Sequence, residues 1–250
     1  MISNTYINTL FNFCNQNIIV LGASRGIGFA LAEGLANAGA NVFGFGRSEE
    51  NSELKNVNFV YKSIDFSSNK SIKDEYSNIN DLNGNLSTLI NAAGISLPNQ
   101  DLDSFIKTIH TNLILTYQSC SAFAELMNAE NPSSIINRTS IGAHFGFPSN
   151  PAYTASKSAI SNLSKSLAID YAKQNIRVNN IVPGYIKTDM TKDSYLNEEL
   201  YLERLNRMII KRWGKPQDLI GAALFLSSEA SSYVNGTDIV IDGGWSAKGL

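Results

Sequence analysis

The stretch Ile18-Ile-Val-Leu-Gly22-Ala-Ser-Arg-Gly26-Ile-Gly28 contains the end of a strand, a glycine loop and the start of a helix. Its apolar run lacks alternation, which is typical of a parallel strand buried on both faces. The glycines allow a tight turn and close approach of a ligand, while the helix directs free N–H groups and its positive dipole end at the same point. The stretch predicts a strand, loop and helix unit that binds a phosphate.

Similar units follow along the chain. Short apolar runs predict further strands at 41–45, 58–61, 86–90, 134–137, 176–182 and 237–241. Helical spacing predicts one long helix over 102–127, a helix opening at Asn150-Pro151 with a cap and first-turn proline, and another at 216–227. This alternation predicts a doubly wound α/β fold with a parallel sheet, whose ligands bind at the carboxyl ends of the strands. We expect one domain, 1–250, with a mobile substrate lid at about 187–215.

The composition excludes several classes of protein. The net charge of −2 and pI near 5.7 provide no broad basic field, so neither nucleic acid nor an anionic membrane is expected as a partner. Two cysteines, Cys14 and Cys120, fit a reducing compartment, and with only two histidines no metal site is predicted. The chain has no signal peptide pattern and no apolar run long enough to span a membrane. We expect a cytoplasmic protein.

The end of the second strand bears on the cofactor. In a dinucleotide-binding fold, an acidic residue at this point binds the ribose 2′-hydroxyl, whereas an arginine suits a 2′-phosphate. Here the chain has Gly46-Arg47, and Arg25 in the glycine loop adds a second positive charge. Each arginine could instead face solvent at the surface. The pair favours NADP(H) over NAD(H).

Two further strand ends carry candidate contacts for the cofactor. Asp65, beside Phe66, lies just past the third strand, where a carboxylate can accept a hydrogen bond from an adenine amino group. The alternative is that Asp65 caps a helix. After the fourth strand, Asn91-Ala-Ala-Gly94 contains small residues, which leave room for a flat ligand over the strand end.

Tyr153 and Lys157 are the candidate chemical pair. Their spacing of four residues places both on one face of a helix. A free tyrosine, with a pKa of about 10, is a poor acid or base near neutral pH, but an adjacent cation lowers that pKa. Ser140 lies at the end of the strand before the helix. Its hydroxyl can hold a substrate oxygen that the tyrosine hydroxyl also reaches. The alternative is that Tyr153 and Lys157 merely lie on a solvated helix face.

Together these motifs resemble the short-chain dehydrogenase/reductase family over nearly the whole chain. The residues that carry the resemblance are Gly22, Gly26, Gly28, Asp65, Asn91 to Gly94, Asn112, Ser140, Tyr153, Lys157 and Pro183-Gly184 followed by Thr188. The resemblance implies a single-domain Rossmann fold with seven parallel strands. It also implies hydride transfer between a nicotinamide cofactor and a ketone or secondary alcohol, in a homotetramer or homodimer.

The resemblance assigns a function to each motif. Tyr153 is the general acid and base, Ser140 orients the carbonyl or alcohol, and Lys157 lowers the tyrosine pKa and binds the nicotinamide ribose. Asn112 holds a water that links this lysine to solvent, and the segment from Pro183 to Thr188 closes over the nicotinamide. With the patterns above, the predicted cofactor-binding residues are Gly22, Ser24, Arg25, Gly26, Ile27, Gly28, Arg47, Asp65, Phe66, Asn91, Ala92, Ala93, Gly94, Tyr153, Lys157, Pro183, Gly184, Ile186 and Thr188.

Several segments are similar to gluconate 5-dehydrogenase-type members, among them Pro183-Gly-Tyr-Ile-Lys-Thr-Asp-Met-Thr191 and Arg212-Trp-Gly-Lys-Pro216. A sugar acid or polyol is therefore the expected substrate. A 3-oxoacyl-acyl-carrier-protein reductase shares all the motifs and is the alternative; a non-catalytic dinucleotide sensor is more remote. The spans 47–57 and 94–112 are shorter than the family pattern, which predicts a remodelled substrate mouth.

Overall fold

The computed structural model describes residues 4–48, 56–66, 69–82, 85–98 and 101–248. The predicted short span at 47–57 falls largely on residues 49–55, outside the described part. The trimmed loop at 94–112 includes residues 99–100, which also lie outside it.

The described residues form a seven-stranded parallel sheet in the order β3-β2-β1-β4-β5-β6-β7. The strands are β1 (Gln16–Leu21), β2 (Asn41–Gly46), β3 (Phe59–Ser63), β4 (Asn85–Asn91), β5 (Ser133–Arg138), β6 (Ile176–Pro183) and β7 (Asp238–Ile241). Each lies where an apolar run predicted it, within two residues at either end. The doubly wound α/β prediction is confirmed.

Helices cover both faces of this sheet. They are α1 (Asn4–Leu10), α2 (Gly26–Asn37), α3 (Asn69–Asn80), α4 (Leu102–Ile109), α5 (Leu115–Ala124), α6 (Pro151–Asp170), α7 (Lys192–Leu196), α8 (Glu198–Arg207) and α9 (Ile220–Ser227). Because side chains alternate along a strand, Ile18 and Val20 of β1 pack into one core with α2 and α9, whereas Ile19 packs into a second core with α3, α5 and α6. Burial of β1 on both faces explains its unbroken apolar run.

The predicted long helix over 102–127 is interrupted and ends earlier. Five residues, His110–Ile114, form a π-helical turn between α4 and α5, and α5 ends at Ala124. Such single turns inside α-helices occur frequently at functional sites. Asn112 lies in the middle of this turn and is fully buried.

The start of α6 differs in one detail from the prediction. Pro151 occupies the first turn as expected, but the side chain of Asn150 makes no capping hydrogen bond. Instead, Asn150 Nδ2 donates to Ser96 Oγ at 2.6 Å. Asn150 therefore occupies the predicted cap position, but its amide joins the start of α6 to the loop that follows β4.

The segment 187–215 is attached to the domain through aromatic packing. Met208 and Trp213 are buried in a cluster with Ile141, Val182 and Trp245. Tyr201 stacks on Trp213 with ring centres 5.8 Å apart. Whether the segment opens and closes as a lid stays a prediction. Within the described ranges, none of the helices combines the length and apolar character needed to cross a membrane.

Candidate active site

A cavity of about 370 Å³ lies at the carboxyl ends of β1, β2, β4 and β5. Its lining contains most of the residues predicted to bind a cofactor. Those residues are Gly22, Ser24, Arg25, Gly26, Ile27, Gly28, Arg47, Asp65, Phe66, Ala92, Ala93, Gly94 and Thr188. The separate sequence motifs thus converge on one cavity at the edge of the sheet that the fold type predicts.

The glycine loop forms the floor of this cavity. Gly22 and Gly26 have φ values of 90° and 60°, in the left-handed region that favours glycine. A Cβ on Gly22 would collide with the backbone of Ala93, and one on Gly28 with the carbonyl of Gly22. Arg25, the residue before α2, makes no side-chain capping hydrogen bond. The first residues of α2 line the cavity. The loop is shaped for an anionic group held by backbone N–H groups.

The end of β2 forms a second wall. Gly46 is buried, and a Cβ on it would collide with the Tyr61 hydroxyl, which donates to the Ser48 carbonyl at 2.8 Å. A carboxylate side chain at position 46 would therefore require Tyr61 to move. Arg47 is exposed at the cavity edge. Arg25 approaches Asp189 at 3.6 Å, and both side chains are mostly exposed, so this ion pair adds little stability.

Asn91 does not line the cavity. Its Nδ2 donates to Asn137 Oδ1 at 2.9 Å, and its Oδ1 accepts from Ser119 Oγ at 2.7 Å. Asn137 continues to Ser164 Oγ at 2.9 Å, so a chain of hydrogen-bonded side chains crosses β4, β5 and α6. The side chain of Asn91 joins strands to helices, and its predicted contact with the cofactor stays a prediction.

Gly94 leaves space for two basic side chains. A Cβ here would lie 2.6 Å from Arg138 Nη2, 3.2 Å from Asn112 Oδ1 and 3.5 Å from Lys157 Nζ. The small residue after β4 was predicted to make room for a flat ligand. In the structure, glycine at this position accommodates the Arg138 guanidinium beside the lysine.

Tyr153 and Lys157 form the neighbouring pair that their spacing predicted. Lys157 Nζ lies 5.8 Å from the centre of the Tyr153 ring. Both side chains are buried, with Tyr153 7% and Lys157 0% exposed, which excludes a solvated helix face. The Lys157 ammonium donates to the Arg138 carbonyl at 2.9 Å. Burial, and then the positive charge of Arg138, hold the pKa of Lys157 well below its ordinary value.

Asn112 connects the loop after β4 to α6. Its Oδ1 accepts from the Ile95 N–H at 2.8 Å, and its Nδ2 donates to the Ile95 carbonyl at 2.9 Å and to Ser156 Oγ at 3.0 Å. Its main-chain carbonyl accepts from Thr116 Oγ1 at 2.6 Å. The side chain therefore fixes the backbone beside Gly94 and Lys157. The water predicted at Asn112 stays a prediction.

Ser140 lies at the entrance to a short 3-10 turn, Ile141–Ala143. Its Oγ accepts from the Gly142 N–H at 3.1 Å, and 7% of the residue is exposed. Ser158 of α6 donates from its Oγ to the Ala143 carbonyl at 2.8 Å, which fastens this turn to the helix that carries Tyr153. The fold thus brings the Ser140 turn and the Tyr153 helix together.

The segment after β6 reaches the cavity at one point. Pro183 ends β6, and the Gly184 N–H donates to the Ile241 carbonyl at 3.0 Å. Ile186 is buried and bridges to Gly214. None of these three residues lines the cavity; they lead the chain to Thr188, which does.

Sequence reasoning missed part of the lining. The additional residues are Gly46, Ser48, Ile95, His110, Thr111, Leu115, Arg138, Asp189 and Met190. Asp189 and Met190 follow the predicted Thr188 directly, so their position in the sequence could have indicated that they line the cavity. Arg138 carried a clearer one, since a charged residue within the run Ser134-Ile-Ile-Asn-Arg138 is unusual for a strand buried on both faces.

Comparison with known proteins gives a consistent result. The family model described as enoyl-(acyl carrier protein) reductase matches residues 22–246. A 3-oxoacyl-[acyl-carrier-protein] reductase of Chlamydia pneumoniae is 36% identical, over 92% of this chain and 96% of that protein. The 5-keto-D-gluconate 5-reductase of Escherichia coli K12 is 33% identical, over 95% of this chain and 98% of that protein.

A solved structure shares the fold over almost the full length. The gluconate 5-dehydrogenase from Burkholderia cenocepacia J2315, in complex with NADP and tartrate, superimposes with a TM-score of 0.90 at 28% sequence identity. The match covers 97% of this chain and 100% of that chain.

Proposed function

The chain belongs to the short-chain dehydrogenase/reductase family, and we propose that it transfers a hydride between NADP(H) and a ketone or secondary alcohol of a sugar acid or polyol. One observation carries this proposal: the buried pair Tyr153 and Lys157 lies beside a cavity whose floor is the glycine loop. A buried phenol beside a buried amine serves proton transfer, and the loop serves binding of a phosphorylated cofactor.

The residues present fit a dinucleotide. Gly22, Gly26 and Gly28 provide a backbone cradle that a Cβ on Gly22 or Gly28 would fill, and the uncapped N-terminus of α2 suits a diphosphate. Asp65 and Phe66 at the end of β3 would hold the adenine, and Lys157 the nicotinamide ribose. When bound, NADP(H) supplies or accepts the hydride.

The side chains of this chain would handle the oxygen of the substrate. In the reductive direction, the Tyr153 hydroxyl donates its proton to the carbonyl oxygen, and the Ser140 hydroxyl donates a hydrogen bond to the same atom. Both interactions strengthen as negative charge develops on that oxygen, which is what lowers the barrier. In the oxidative direction, Tyr153 removes the proton from the alcohol.

NADP(H) is proposed over NAD(H) for two reasons. Arg47 and Arg25 lie at the cavity edge, where a guanidinium can pair with a 2′-phosphate. Gly46 occupies the place where an NAD-binding protein would carry an acidic residue, and Tyr61 obstructs a side chain there. The NADP held by the Burkholderia relative supports the same choice.

The proposed substrate class is supported by the relatives that act on gluconate derivatives. Basic side chains also lie against the aromatic cluster that contains Tyr201, Trp213 and Trp245. Arg207 lies 4.0 Å over the Trp245 ring, and Lys187 lies 5.6 Å over the Tyr201 ring. Cations in this region suit a substrate that carries a carboxylate.

Reduction of a 3-oxoacyl thioester on acyl-carrier protein is the second candidate, since the Chlamydia relative carries that name. Exposed Lys187, Lys192 and Lys211 would provide a basic docking surface for the acidic carrier. We further propose a cytoplasmic homotetramer or homodimer. A non-catalytic sensor is disfavoured because Tyr153, Lys157 and Ser140 are all present.

A substrate panel tests these proposals. Purified protein with NADPH is mixed with a keto-sugar acid, an acetoacetyl thioester or a simple diketone, and the absorbance of the reduced cofactor is followed. The sugar-acid proposal requires the highest kcat/KM for the keto-sugar acid. A higher value for the thioester would favour the second candidate, and absence of turnover with every member would reject both.

A further inference from the structure

Arg138 is a buried charge that the protein itself does not balance. It ends β5, is only 8% exposed and lines the cavity. Its Nε donates to the Ala92 carbonyl at 3.0 Å. Among the described residues, Nη1 and Nη2 donate to no protein acceptor, and no carboxylate lies within ion-pair distance of the guanidinium. Burying a charge without a partner is costly, so such a residue calls for an anion from elsewhere.

The neighbouring lysine makes the imbalance larger. Lys157 is fully buried, its Nζ donates to the Arg138 carbonyl, and both basic groups approach the same point beside Gly94. The proximity of Arg138 is one reason why the pKa of Lys157 is lowered. Two basic groups therefore lie together beside Gly94, which lines the cavity, without an acidic partner in the described part of the chain.

Arg177 is a part-buried arginine of the same sheet whose charge is partly balanced, although its Nη1 has no hydrogen-bond partner within the described residues. It lies near the start of β6, away from the cavity, and its Nη2 donates to the carbonyls of Leu226 and Ser228 at 3.0 and 3.4 Å. Glu229 is close enough to raise the pKa of Arg177, although burial lowers it by more. Both the backbone acceptors and the nearby acid are lacking at the Arg138 Nη atoms.

We propose that Arg138 is a cofactor-binding residue whose guanidinium contacts the diphosphate bridge of the dinucleotide. The inference rests on the proposed function. The glycine loop and Arg138 line the same cavity, so a diphosphate bound there can contact both the N-terminus of α2 and the guanidinium. A buried guanidinium pairs with phosphate through two parallel hydrogen bonds, and Nη1 and Nη2 have this capacity left. The cofactor then completes the charge balance of the site.

The test uses Arg138→Met, with Arg177→Met as the matched loss of a part-buried arginine in the same sheet. Dissociation constants are measured by fluorescence or calorimetric titration for NADPH, for ADP-ribose, which contains the diphosphate, and for 2′-AMP, which does not. In Arg138→Met, binding of NADPH and ADP-ribose should weaken about ten- to a hundredfold, the loss expected for a charge-assisted contact. Binding of 2′-AMP should not change, and Arg177→Met should bind all three normally.

The stability of the cofactor-free protein gives a second readout. Arg138→Met removes a poorly balanced charge but also the hydrogen bond from Nε to the Ala92 carbonyl, so its Tm without ligand should stay close to the wild-type value, while the rise in Tm produced by NADPH should shrink.

A lower Tm with unchanged affinities would mean that Arg138 is structural and would overturn the proposal. Unchanged binding of NADPH and ADP-ribose together with a raised KM for an acidic substrate would also overturn it. If the wild-type protein binds no nicotinamide nucleotide, the proposed function fails as well; if it binds and the variant binds equally, only this inference fails.

Discussion

Lys157 lies one helical turn after Tyr153, with its ammonium nitrogen 5.8 Å from the centre of the tyrosine ring. The lysine is sealed from solvent and donates to the carbonyl of Arg138, at the end of the neighbouring strand. This places the pair where β5 meets the cavity. The α6 helix sets the spacing of the two side chains, and packing against the sheet buries them.

The cofactor preference can be tested at Arg47. Arg47→Ala should weaken NADPH about tenfold or more and leave NADH nearly unchanged, because only NADPH carries the 2′-phosphate that the guanidinium would pair with. Dissociation constants are measured at low salt, where screening is weakest. The control is Arg212→Ala, since Arg212 pairs with Asp218 and neither residue lines the cavity. Equal affinities of the unmodified protein for NADPH and NADH would end this proposal.

The hydrogen bonds of Asn112 predict a stability defect. Asn112→Leu removes both hydrogen bonds to the part-buried Ile95 backbone and one of the bonds of Ser156 Oγ, which still donates to the Tyr153 carbonyl at 2.7 Å. A polar group left unpaired in the interior costs about 1–3 kcal/mol, so the loss of the two bonds to Ile95 should lower the free energy of unfolding in urea by about 2 kcal/mol. Asn128→Ala, which removes an exposed contact to the Glu130 N–H, should cost less than about 0.5 kcal/mol. A difference between the two variants below about 1 kcal/mol would contradict this assignment.

The two cysteines should differ in reactivity. Cys14 is exposed, whereas burial raises the pKa of the Cys120 thiol to about 12. Because the thiolate is the reactive form, a disulfide reagent at pH 8 should modify Cys14 in the native protein and both thiols in denaturant. The absorbance of the chromophore that the reagent releases counts the modified thiols, and Cys14→Ser is the control. Rapid native labelling of that variant would show that Cys120 is accessible.

Assembly can be tested on the exposed apolar side chains of α4 and α5. Ile106 is 55% and Tyr117 49% exposed, a pattern that suits contact with another subunit. We expect a light-scattering mass well above the 27.3 kDa of one chain, reduced by the double change Ile106→Asp with Tyr117→Asp. Leu82→Asp, at an exposed site elsewhere, should leave the mass unchanged. A monomeric unmodified protein at micromolar concentration would refute the assembly proposal.

Much of the fold could be predicted because local patterns encode it. Short runs rich in apolar residues marked all seven strands, and the four-residue spacing of Tyr153 and Lys157 marked the pair on α6. The glycine loop was also readable, since the positive φ values at Gly22 and Gly26 are those that glycine adopts readily.

The rest depends on contacts between residues distant in sequence. The side-chain partners of Asn91 could not be predicted, because Ser119 and Asn137 meet it only once β4, β5 and α5 are packed. The π-helical turn at Asn112 is stabilised by Ile95 on a different segment, so the periodicity of the helix did not reveal it. The obstruction of position 46 by Tyr61 depends on the packing of β3 beside β2.

The central claim is that Tyr153 transfers the proton in a reaction that depends on NADP(H). The most direct measurement compares turnover and NADPH binding for the unmodified protein, Tyr153→Phe and Tyr171→Phe, the last being a control at the far end of the same helix. Turnover of Tyr153→Phe should fall by about two to four orders of magnitude, the usual contribution of a positioned acid or base, with an NADPH dissociation constant within about twofold of normal. Tyr171→Phe should retain normal turnover. Near-normal turnover of Tyr153→Phe would contradict the claim.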